Sequence, residues 1–84
     1  YAICVNSWTS GLIAAVGALD INPGDEIIVS PWTMSASAMA ILHWNAIPVF
    51  ADIENETFNL NPKDVEKKIT KKTKAIMSID IFGH

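Results

Sequence analysis

One cysteine, Cys4, stands in 84 residues, so no internal disulfide can form. It sits in the apolar run "YAICV", where a buried small hydrophobe is the expected role. A lone thiol fits a reducing, cytoplasmic setting. No apolar run reaches the roughly 18 residues that a membrane span needs. No signal-peptide pattern is present, and a chain that begins at Tyr1 would not show one that preceded it. His, Cys, Asp and Glu gather nowhere at metal-ligand spacing. Ser, His and Asp form no convincing nucleophilic triad. Walker A and GxGxxG patterns are missing, so nucleotide binding by those routes is not supported. No hairpin turn joins any two strand-like runs.

What is present is apolar and short. Half of the residues are hydrophobic and 18% are charged. Eighty-four residues make at most one small domain, which buries only roughly 60% of its unfolded surface. Such a composition implies either a dense core or a piece whose apolar faces expect more protein. The absence of an initiator Met and the ending "DIFGH", just past a strand-like run, favour a piece truncated at both ends. The net charge is −3. Lys67, Lys68, Lys71, Lys72 and Lys74 cluster, but among Asp64 and Glu66 in an acidic chain. They read as a solvated face and turn, not a nucleic-acid patch. The triplet Asn55-Glu56-Thr57 matches a glycosylation sequon, a pattern frequent by chance.

Apolar runs and turn residues give the order of elements. "YAICV" reads as a buried strand, followed by a helix over about 10–19 with Thr9 as a plausible N-cap. "NPGD" is turn chemistry, and "EIIVS" is a second buried strand. Thr33 opens a helix over roughly 34–44. "IPVFADI" is a third strand, apolar enough to be covered on both faces. Asn61 caps a third helix with Pro62 first inside it, Asp64 in its first turn and Leu60 and Val65 placed as a staple. "KAIMSIDIF" is the fourth strand. The pattern β-α-β-α-β-α-β predicts an α/β fold with a parallel sheet and packed helices. Right-handed crossovers put "NSWTS", "SPWTM" and "ADIENE" on one sheet edge, where ligands usually bind.

Two segments on that edge are candidates for chemistry. Ser7, Thr9 and Ser10 flank a helix N-terminus, whose unpaired N–H groups and partial positive charge suit a phosphate. The same residues also suit a plain helix cap, and Trp8 stands where a phosphate cradle usually has Gly. In "PWTMSAS", Trp32 or Met34 could cover a flat ring, although core packing is the commoner use of such residues. His43, beside Trp44, reads as a helix C-terminal residue. Asp52 and Asp80 are functional acids or polar strand edges, and His84 is the last residue.

With these segments in place, the chain resembles the DegT/DnrJ/EryC1/StrS aminotransferases over nearly its whole length. The resemblance rests on "NSWTSGL", "INPGDEIIVSPWTMSASA", "AIPVFADIENETFNLNP" and "ITKKTKAIMSIDIFGH", in this order and spacing. It implies the N-terminal part of the large, cofactor-binding domain of a fold type I enzyme dependent on pyridoxal 5'-phosphate. Ser7, Trp8 and Thr9 would then meet the cofactor phosphate, with the Trp8 indole turned away. Met34, or Trp32 in its place, would cover the cofactor ring. Met34 stands where the family commonly has an aromatic, and Trp8 where it has Gly or Ala.

The resemblance also implies a homodimer that moves an amino group, from glutamate, to a keto-sugar nucleotide; some relatives eliminate water instead. Pyridoxal chemistry needs a lysine and an acid beside the ring nitrogen. The family carries both downstream of "FGH", so no catalytic residue is assigned to these 84 residues, and the chain alone is expected to be inactive. Neither nucleic acid nor membrane is an expected partner, and no metal is. Two other readings remain open: a truncated relative serving as an association module, and an unrelated flavodoxin-like phosphate binder. The last predicts that the first strand pairs with the second or third. The aminotransferase reading predicts the last three strands adjacent and the first apart from them.

Overall fold

A computed structural model covers residues 1–84. It contains α1 (Trp8–Gly17), β1 (Glu26–Val29), α2 (Ser35–Leu42), β2 (Ile47–Phe50), α3 (Pro62–Lys68), β3 (Thr73–Met77) and a 3-10 turn over Ile81–Gly83. The three strands form a parallel sheet in the order β2-β1-β3. The fold is thus α/β with a parallel sheet, as the alternation predicts.

Side chains alternate across a strand, so the central strand feeds two cores. Ile27 and Val29 point to one face and pack with Val16, Ala40, Ile41 and Ala46. Ile28 points to the other and packs with Ala51 and Val65. Hence α1 and α2 cover one face and α3 the other. The strand order explains this split. The chain steps from β1 outward to β2, then returns past β1 to β3. A right-handed crossover in each direction places the two connecting helices on opposite faces.

Local signals fix most of the helix ends. Asn61 Oδ1 accepts from the Lys63 N–H at 3.0 Å, and Pro62 opens α3. Leu60 packs against the cluster of Ile28, Ala51 and Val65, on the side where a staple would place it. The chain leaves α2 through His43 and turns at Asn45, whose φ is +56°. Asn tolerates this left-handed geometry better than most residues. The five clustered lysines are all exposed.

Four expectations need correction. Tyr1–Val5 is not a strand: it pairs with nothing and is exposed, Cys4 included. Strand conformation needs a neighbour to satisfy its N–H and C=O groups, and the sheet offers none beside this segment. β1, β2 and β3 are adjacent and the first segment lies apart, the arrangement the flavodoxin-like reading excluded. The cap of α1 is Ser7, not Thr9: Ser7 Oγ accepts from the Ser10 N–H at 3.1 Å. Trp44 lies beyond α2, and α2 begins at Ser35 after Met34 without a side-chain cap bond. Finally, β2 is an edge strand with Ile47 and Phe50 exposed, so its apolar run is not covered on both faces.

Candidate functional site

The chain leaves β1 through Ser30–Met34 and β3 through Ser78–His84. These exits lie beyond the carboxyl ends of adjacent strands, the usual place for ligands in open α/β sheets. Two clefts form there. One, of about 630 Å³, is lined by Pro31, Trp32, Thr33, Met34, Ile81 and Phe82. The other, of about 270 Å³, runs between the starts of α1 and α2 and includes Trp8, Thr9, Leu12, Thr33, Met34 and Ile79. Thr33 and Met34 belong to both, so the clefts adjoin.

The start of α1 divides its polar groups sharply. Ser10 Oγ donates to Asn6 Oδ1 at 2.7 Å. Ser10 Oγ also lies 3.0 Å from Ser7 Oγ. A hydroxyl has one proton, so Ser7 must be the donor in that second bond. Both serine protons are therefore used inside the cap. The Ser10 and Gly11 N–H groups are also taken, by Ser7 Oγ and the Ser7 carbonyl. What remains are the N–H groups of Trp8 and Thr9 and the Thr9 hydroxyl, none of which has a protein partner. Trp8 and Thr9 line the smaller cleft with Met34.

Trp8 does not close this end of the helix. A Cβ placed on Gly11 would lie 3.6 Å from Trp8 Cε3, so the indole lies along the flank of the first turn. The residue is 76% exposed and enters no core. Met34 is equally exposed, at 76%, with its backbone extended. Trp32 is half exposed and tilted against Phe58, with ring centroids 6.1 Å apart. Beneath them Ser30 Oγ accepts from the Trp32 N–H at 3.0 Å, and Thr33 Oγ1 pairs with buried Ser37 Oγ at 2.9 Å. These bonds set the direction in which Trp32 and Met34 leave the sheet.

The structure brings Trp8, Thr9 and Met34 into one cleft and Trp32 and Met34 into the next, while Ser7 stands behind as the cap. The remaining candidates fall outside both. Asp52 joins a separate polar cleft with Glu54, Asn55, Glu56 and Asn61, because the chain leaves β2 toward the opposite face of the sheet. No group of three or more metal-ligating side chains exists. His43 caps α2 at the other edge of the sheet. No lysine lines either cleft. Sequence reasoning missed Ile79, Ile81 and Phe82. The signal was the exit of the last strand, "SIDIFGH", which reaches the same edge as the exit of β1.

Comparison with known proteins follows the same lines. The sequence profile of the DegT/DnrJ/EryC1/StrS aminotransferase family matches residues 1–84. GDP-perosamine synthase of Escherichia coli O157:H7 is 46% identical over 84 residues, all of this chain and 23% of its own length. The spore coat polysaccharide biosynthesis protein SpsC of Bacillus subtilis is 45% identical over 83 residues, 99% of this chain and 21% of its own. A putative sugar aminotransferase of Streptococcus pneumoniae, solved in its PMP form, superposes with a TM-score of 0.91 at 40% identity. That match covers 96% of this chain and 20% of the other. The same protein has also been solved in a PLP form. The chain spans about a fifth of the length of the curated relatives it matches. No helix is long and apolar enough to cross a membrane.

Proposed function

The chain belongs to the DegT/DnrJ/EryC1/StrS aminotransferase family, and from that premise we propose that it forms the N-terminal part of the cofactor-binding domain of a sugar aminotransferase. In this reading the start of α1 takes the phosphate of pyridoxal 5'-phosphate, and Met34 lies against its ring. The observation that carries it is that Trp8 and Thr9, whose N–H groups and Thr9 hydroxyl lack protein partners, line one cleft with an exposed Met34.

Each part has a physical reason. Unpaired N–H groups at a helix start, aided by the helix dipole, favour an anion. Thr9 adds a hydroxyl donor. Ser7 acts through the cap, fixing the first turn that carries the Trp8 and Thr9 N–H groups. The thioether side chain of Met34 is apolar, polarizable and flexible enough to follow a flat ring. Trp32 stands one step further along the same edge, propped on Phe58. The bound cofactor supplies an electron sink for amino transfer. The lysine such chemistry requires belongs to polypeptide outside these 84 residues. We assign to the whole protein a keto-sugar nucleotide as acceptor, glutamate as donor, a homodimeric state and a cytoplasmic location.

The test uses the full-length protein that carries this chain. Trp8→Ala removes the indole and keeps the N–H, whereas Trp8→Pro removes both. Proline is tolerated at the first position of a helix. A charge-assisted hydrogen bond contributes about 1.5–3 kcal/mol, so W8P should bind pyridoxal phosphate about tenfold more weakly than W8A, or worse. Equal affinities for the two variants, or equal affinity of the wild type for pyridoxal without its phosphate, would refute the phosphate assignment. A residue other than lysine at the downstream lysine position would remove the aminotransferase reading.

A further inference from the structure

Asn59 uses every polar group it has. Its N–H donates to Thr57 Oγ1 at 3.3 Å, and its carbonyl accepts from the Glu54 N–H at 2.9 Å. Its side-chain Oδ1 accepts from the Ile81 N–H at 3.1 Å, and its Nδ2 donates to the His84 carbonyl at 2.9 Å. Nδ2 also lies 3.4 Å from His84 Nδ1. The two bonds to the backbone reach 22 and 25 residues along the chain. They fasten the loop after β2 to the 3-10 turn after β3.

Between the two fastened residues stands Phe82, with φ +55°. A bulky residue rarely adopts this left-handed conformation. Within these 84 residues Phe82 is 89% exposed, and nothing in them buries its ring. Strained backbone persists where the surroundings over-determine it. Here Asn59 holds the residue before Phe82 and, through the His84 carbonyl, the residue two after it. Ile81 and Phe82 line the larger cleft together with Pro31, Trp32 and Met34.

We propose that Asn59 is a positioning residue: it holds the Ile81–Gly83 turn so that Ile81 and Phe82 form a wall of the larger cleft beside Trp32 and Met34. Its consequence for ligand binding rests on the reading of this edge as a pyridoxal phosphate site. Asparagine suits the task because one short side chain supplies both an acceptor and a donor. Aspartate keeps the acceptor and, when ionised, loses the donor. Alanine loses both.

The experiment measures two quantities in the full-length protein: hydrogen exchange of the Ile81 amide without cofactor, and the dissociation constant for pyridoxal phosphate. The variants are Asn59→Ala, Asn59→Asp and, as a control, Trp44→Phe. The control removes the bond from Trp44 Nε1 to the Ile13 carbonyl, at the opposite edge of the sheet. N59A should lose Ile81 protection and bind pyridoxal phosphate about tenfold more weakly, the size expected for losing one or two hydrogen bonds. N59D should keep part of the Ile81 protection, and it carries the comparison if N59A does not fold. W44F should lower the melting temperature and leave both quantities unchanged. Wild-type Ile81 exchange in both Asn59 variants overturns the proposal. So does an unchanged dissociation constant, or a loss of affinity in W44F as large as in N59A. If the wild type binds no pyridoxal phosphate, the functional reading fails, while Ile81 exchange still decides whether Asn59 holds the turn.

Discussion

Gly17 is the last residue of α1, and its missing side chain is occupied by a neighbour. A Cβ built there would lie 2.2 Å from Trp44 Cζ2, 2.7 Å from Cε2 and 2.9 Å from Cη2. Carbon atoms pack at roughly 3.5–4.0 Å, so the indole would have to retreat by about 1.3–1.8 Å. It is not free to do so, because Trp44 Nε1 donates to the Ile13 carbonyl at 2.8 Å. Gly17→Ala therefore sets two effects against each other. Alanine in place of glycine favours a helix by up to about 1 kcal/mol. Overpacking costs about 1–3 kcal/mol, and loss of the indole hydrogen bond adds about 1 kcal/mol. The net expectation is a destabilisation of about 1–3 kcal/mol.

Removing Trp44 reverses the expected sign. In a Trp44→Ala background the clash is gone, and only the propensity gain remains. G17A should then be neutral or stabilising by up to about 1 kcal/mol. Urea unfolding followed by far-UV circular dichroism of the wild type, both single variants and the double variant gives the coupling energy. A stabilised G17A in the presence of Trp44, or the same effect in both backgrounds, would refute the packing argument.

Ile28 is fully buried between Ala51 and Val65, so Ile28→Ala should cost about 2–5 kcal/mol in the same unfolding assay. A loss below 1 kcal/mol would mean that the face under α3 collapses around the gap. Asn61→Ala removes the acceptor for the Lys63 N–H and should cost about 1 kcal/mol, while Asn61→Ser should restore most of it. Equal losses in both Asn61 variants would count against a capping role.

Features that depend on near neighbours were legible in the sequence. Asn61 followed by Pro62 marks the start of α3 because cap and first turn are consecutive residues. The three strands of the sheet and their parallel arrangement follow from alternation of apolar runs with helices. What could not be read depends on distant partners. Tyr1–Val5 has strand composition, but composition supplies no neighbour to pair with. Thr9 and Ser7 are both good caps, and only the backbone path of 6–10 chooses Ser7. Trp44 closes on Gly17 from 27 positions away. Asn59 bonds across 22 and 25 residues, and no local pattern announces it. The candidate site was half visible for the same reason: "NSWTS" and "SPWTM" were placed on one edge, and their residues line one cleft, but the pairing of the β1 exit with the β3 exit follows from the order β2-β1-β3.

The two edges of the sheet are built differently, and this bears on how binding and stability relate. At the edge where strands begin, Gly17 admits Trp44, the Gly24 N–H reaches the Asn45 carbonyl, and Thr70 bonds to Glu26. There, close packing ties the helix ends to the strand starts. At the opposite edge, α2 starts without a side-chain cap bond, two N–H groups of α1 lack partners, and Phe58 and Phe82 adopt left-handed backbone. Unpaired donors and strained aromatics do not strengthen a fold; they are features that a ligand can use. Changes at the first edge should therefore act on stability, and changes at the second on affinity. That separation is why Trp44 serves as the control for Asn59. On the proposed reading Trp8, though large, exposed and at the head of a helix, falls with the second edge: its indole lies beside Gly11 and its N–H has no protein partner.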